Sequence, residues 1–96
     1  MMPLTVKNQL TLLYDLLDEQ QADNIGQTTE YQQIVRLVQS MMENSQLTDE
    51  QLIQLLPEIY QYGKQGENAQ DTTAHISNNK QNIGNWISAI QQANLE

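Results

Sequence analysis

The 96-residue chain sets twelve acidic residues against four basic ones, a formal net charge of −8, and has no cysteine and one histidine. That imbalance opposes approach to phosphate backbones and anionic lipid headgroups, so neither nucleic acid nor a membrane is an expected partner. The missing thiols exclude disulfides, thiolate catalysis and sulfur-bound zinc.

One helical domain over residues 1–96, built on a single core, is what this length accommodates. Between Met1 and Leu13, Lys7, Asn8 and Gln9 interrupt the apolar run a secretory signal needs, and no stretch reaches transmembrane length. A cytoplasmic protein is expected.

Val6, Leu10, Leu13 and Leu17 recur at i, i+4, i+7 and i+11, which predicts a helix over residues 4–23. Leu12 and Leu16 widen its stripe, and so broad an apolar arc implies contact with two neighbours. The opposite face holds Asn8, Thr11, Asp15, Asp18 and Glu19. After a short break at Asn24–Thr28, with Thr28 or Thr29 as cap, a second helix is expected to run to Glu43. Its inward set is Tyr31, Ile34, Val38, Met41 and Met42, flanked by Val35 and Leu37.

Thr48 and Gln51 match a capping box for a third helix over Asp49–Lys64, which carries Leu52, Leu55, Leu56 and Ile59 with Ile53 and Tyr60 alongside. Pro57 deletes one hydrogen bond there. The apolar stripe keeps phase across the proline, which favours a kink over a break and puts the bend on the side of Gln54, Glu58 and Gln61.

Gly63–Gln70, with two glycines, reads as a loop. Asp71 or Thr72 caps a fourth helix carrying Ile76, Ile83, Trp86, Ile87 and Ile90, with Asn79 inside its stripe and Gly84 costing about 1 kcal/mol relative to alanine. Short links between four helices imply an all-α, antiparallel four-helix up-down bundle with a Pro-kinked third helix. Gln and Asn make up 25 of the 96 residues, yet they occupy mainly outward positions of phased helices, unlike a disordered polar tract.

Residues with chemistry are few. His75 follows Asp71 by one helical turn and precedes Ser77, but on a helix Ser77 points away from it, so no triad converges. The simpler reading is a boundary histidine near a cap. Gly63-Lys64-Gln65-Gly66 lacks the spacing of a phosphate loop, and Asp15, Asp18 and Glu19 lack the further oxygens of a cation site. No catalytic residue, metal or cofactor is expected.

Two surfaces suit a protein partner. The outer face of the fourth helix, Ser77, Gln81, Gly84, Asn85, Ser88 and Gln92 with Ala89 adjoining, is uncharged and small enough for a second copy of the chain. The alternative is the acidic face Asp15, Asp18 and Glu19, which suits an adaptor or inhibitor of a basic partner. Tyr14, Tyr60, Tyr62 and Trp86 fit a core or its rim.

The Gln-Leu-Thr-Leu-Leu-Tyr-Asp-Leu-Leu run at 9–17, Val-Arg-Leu-Val at 35–38, Glu58-Ile59-Tyr60-Gln61-Tyr62, His75-Ile76 and Trp86-Ile87 resemble the YtzH-like family of small bacterial proteins. The resemblance implies a compact intracellular helical protein. It carries no catalytic or ligand-binding residues across, so the expected role is noncatalytic, interactive or regulatory.

Overall fold

The apolar periods of the sequence become helices in the computed structural model, which describes residues 6–23, 27–43 and 49–94. In chain order they are α1 (Val6–Asp23), α2 (Thr28–Glu43), α3 (Glu50–Glu67), α4 (Thr72–Asn78) and α5 (Lys80–Asn94). The fold is all-α, with no strand among the described residues. Residues 24–26 of the break expected at Asn24–Thr28, the link expected at Asn44–Leu47 and Thr48 of the capping box lie outside those residues.

Caps explain where the helices start. Asp49 Oδ1 accepts the Leu52 amide at 3.1 Å, so the aspartate fills the N-cap position of α3 that the sequence suggested for Thr48. Asp71 Oδ1 accepts the Ala74 amide at 3.0 Å and starts α4. For α2 the Gln27 carbonyl takes the Glu30 and Tyr31 amides, which makes Thr28 the first helical residue rather than the cap.

Two expectations about breaks are reversed. α3 holds exposed Pro57 without a break, in line with the unbroken stripe, but it also continues to Glu67, so most of the expected Gly63–Gln70 loop is helix. Packing overrides the turn preference of glycine there: a Cβ on Gly63 would stand 2.7 Å from Val35 Cγ2, and one on Gly66 would stand 2.2 Å from Tyr31 Cδ1. Gly63 and Gly66 face α2 at i and i+3, and having no side chain lets the two helices approach closely. Position 31 lies against 66 and 35 against 63, so α2 and α3 are antiparallel.

The expected fourth helix is instead two, divided at Asn79. Its backbone leaves helical geometry (φ −113°, ψ 10°), its side-chain amide donates to the His75 carbonyl at 2.9 Å, and its own carbonyl accepts the Ile83 amide at 2.8 Å. A short amide side chain competes with the helix for backbone partners, so the polar residue that interrupts the stripe also ends α4 and launches α5.

The four long helices form a ring in which α1 touches α2 and α5, and α3 touches α2 and α5. Gln91 donates to the Tyr14 hydroxyl at 3.0 Å, and Gln21 Nε2 lies 3.3 Å from where a Gly84 Cβ would stand, so α5 runs antiparallel to α1. One core draws on every helix: Leu10, Leu13 and Leu17 of α1, Tyr31, Ile34, Val38 and Met41 of α2, Leu52, Leu56, Ile59 and Tyr62 of α3, Ile76 of α4, and Ile83, Trp86, Ile87 and Ile90 of α5. Met42, placed inward by the sequence pattern, is exposed, as is Ile53.

Candidate functional site: the groove between α1 and α2

The second apolar stripe of α1 finds only part of a partner. Leu12 is 42% exposed, and Leu16 and Leu37 are half-buried. Leu12, Asp15, Leu16 and Glu19 follow one another at i, i+3, i+4 and i+7 on α1, and Gln33, Arg36, Leu37 and Ser40 repeat that spacing on α2. The two strips line a groove of about 610 Å³, closed at one end by Gln9, whose amide donates to Ser40 Oγ at 2.9 Å.

The leucines form the floor, the Asp15 and Glu19 carboxylates stand on the α1 rim, and Arg36 stands on the α2 rim. Among the described residues no salt bridge joins Arg36 to either carboxylate, and the ion pair present, Lys64 with Glu67 at 4.0 Å, lies on α3. The groove therefore offers apolar area together with charges of both signs that remain open to a third party.

Asp15, Asp18 and Glu19 are all exposed, but only Asp15 and Glu19 line the groove. The other candidate face is divided. Ser77 is on α4, and Gln81, Asn85, Ser88 and Gln92 are exposed on α5, while Gly84 is half-buried opposite Gln21 of α1 and Ala89 is buried. Of the small residues that suggested a close helix contact, Ala89 is used in the chain's own core and Gly84 lies beside the Gln21 side chain of α1.

His75 is held in an aromatic cluster. Its ring stacks on Tyr62 at 4.7 Å and 13°, its Nε2 lies 2.9 Å from the Tyr62 carbonyl oxygen, and Tyr31 meets both rings edge-on at 5.6 and 5.7 Å. Asp71, the partner a triad would need, caps α4 instead, and Ser77 is exposed. Burial raises the Tyr31 phenol above the ordinary tyrosine value and pushes the Tyr62 phenol well above it, where the neighbouring Tyr31 and then the Glu30 charge add to the effect. Tyr62 thus stays a neutral donor, and its hydroxyl gives a 2.7 Å hydrogen bond to Gln20 Oε1 in the interior. Trp86 packs edge-on against Tyr62 at 5.4 Å, so both are core residues. Tyr14 and Tyr60 lie at the rim.

Among the described residues no group of three or more His, Cys, Asp or Glu could hold a metal ion, and no helix is long and apolar enough to cross a membrane. The groove residues Gln9, Leu12, Leu16, Gln33, Arg36, Leu37 and Ser40 were not singled out from sequence. The signal present was the surplus width of the α1 stripe.

A family model described as YtzH-like protein matches residues 4–90. The chain is similar to "Uncharacterized protein YtzH" of Bacillus subtilis (strain 168), with 30% identity over 86 residues that cover 90% of this chain and 92% of the relative. No solved structure matches it.

Proposed function

This chain belongs to the YtzH-like family, and we propose that it is a noncatalytic protein-interaction module that receives a basic partner protein in the groove between α1 and α2. The observation that carries this reading is the uncovered leucine floor between Asp15 and Glu19 on one side and Arg36 on the other. An apolar strip rimmed by polar groups is the pattern of a recognition surface. The net charge of −8 selects a partner of opposite sign and speeds its approach.

Self-association through α5 has less behind it. With Ala89 buried in the core and Gly84 half-buried beside Gln21, the exposed residues left on that face of α5 are Gln81, Asn85, Ser88 and Gln92, which supply none of the aromatic or arginine anchors that dominate interface energies. His75 is occupied in joining α4 to α3, which argues for a structural part rather than for proton transfer.

The test is affinity capture at low and high salt, with wild-type protein and with Asp15→Asn, Asp18→Asn and Glu19→Gln combined. The expected partner is retained at low salt, released at high salt and lost with the neutralised variant. A partner set unchanged by salt and by neutralisation would contradict the reading.

A further inference from the structure

We infer that the occupant of the groove is a single amphipathic α-helix of another protein, about three turns long, with aliphatic residues toward Leu12, Leu16 and Leu37 and Lys or Arg along the flank that meets Asp15 and Glu19. This rests on the interaction reading above and specifies the chemistry of the partner.

Length, wall type and charge each narrow the occupant. From Gln9 to Glu19 the α1 wall advances ten residue steps, about 15 Å at 1.5 Å per residue, the rise of about three helical turns. Both walls are helices whose mid-segment amides and carbonyls are paired within the helix, so the groove offers no open backbone edge to an extended peptide. What it does offer is a leucine floor at i, i+4 on α1 with one leucine opposite on α2, which suits the ridge of side chains on a third helix.

Charge excludes a second copy as the occupant. Two copies would bring −8 against −8, and the four basic residues of the chain, Lys7, Arg36, Lys64 and Lys80, lie on four different helices. No helix of this protein can present a basic flank, whereas the Asp15 and Glu19 rim calls for one. Arg36 on the opposite rim adds direction: the partner helix carries Glu, Asp or polar residues on its other flank, so the groove accepts it in one rotational setting.

The experiment measures the anisotropy of labelled helix-favouring peptides of fourteen residues on addition of the folded protein. One peptide has a leucine stripe with lysines on one flank, and a second replaces those lysines by glutamates. The lysine peptide should bind at least about tenfold tighter than the glutamate peptide at low salt. Asp15→Lys with Glu19→Lys should reverse that preference. Leu12→Glu, at an exposed position, should weaken lysine-peptide binding by about fivefold or more without loss of helicity.

Equal binding of both peptides, no binding of either, or a preference that survives the charge reversal overturns the inference. So does a wild-type dimer in sedimentation that Leu12→Glu dissolves, since the occupant would then be a second copy. If the capture experiment retains a partner that depends on Asp15 and Glu19 while no peptide binds, the helical occupant is refuted and the interaction reading stands.

Discussion

Gly66→Ala is the substitution on which local propensity and packing disagree most. In an exposed helix, alanine for glycine stabilises by up to about 1 kcal/mol. Here the added Cβ would lie 2.2, 2.3 and 2.6 Å from three carbons of the Tyr31 ring. Carbon atoms pack at about 3.5 Å or more, so the ring would have to retreat by about 1.3 Å. Tyr31 is fully buried and held between Tyr62 and His75, which leaves it nowhere to go. Overpacking of this kind costs up to about 3 kcal/mol. Against the propensity gain, the net is a destabilisation of about 2 kcal/mol.

For a chain of this length that is a fall in Tm of roughly 8–16 °C, measurable by circular dichroism or calorimetry. The same substitution in a Tyr31→Leu background should cost less than about 0.5 kcal/mol, because the ring it collides with is gone. Gly84→Ala is the internal control. Its Cβ meets only the movable Gln21 amide at 3.3 Å, so the alanine should raise stability by about 0.5 kcal/mol. If Gly66→Ala raises Tm as Gly84→Ala does, the close approach of α2 and α3 is not real.

Three further outcomes follow from the hydrogen bonds and the tyrosines. Tyr62→Phe removes the donor to buried Gln20 Oε1, and since Gln20 Nε2 also has no partner among the described residues, urea unfolding should show a loss of about 1–3 kcal/mol. Asp71→Ala removes the cap of α4 and should cost about 1 kcal/mol in the same assay, while partner capture persists. Because folding raises the Tyr31 and Tyr62 phenol values, the folded state holds protons that the unfolded chain releases above the ordinary tyrosine value. The stability contributed by these two phenols should therefore be fully present below that value and be lost as pH rises beyond it, with part of the tyrosinate absorbance appearing only on unfolding.

The helices were legible because their cores are simple: Leu10, Leu13 and Leu17, or Ile83, Ile87 and Ile90, announce a buried face by spacing alone. Gly63 and Gly66 misled because glycine encodes a turn and a close helix contact by the same lack of a side chain, and only the position of Tyr31 tells them apart. Asn79 stood in the stripe as an anomaly, and the break it causes depends on side-chain bonds that spacing does not reveal. The acidic half of the candidate site was visible as Asp15 and Glu19. Its apolar floor was not, because Leu12, Leu16 and Leu37 look like core until one knows that no further helix among the described residues covers them.

The most direct test of the groove compares capture by Leu12→Glu and by Ser88→Glu, both exposed substitutions that leave the core untouched. If α1 and α2 form the receiving surface, Leu12→Glu loses the partner at low salt and Ser88→Glu keeps it, with equal helicity and Tm. Retention by Leu12→Glu with loss by Ser88→Glu would place recognition on α5 and contradict the account.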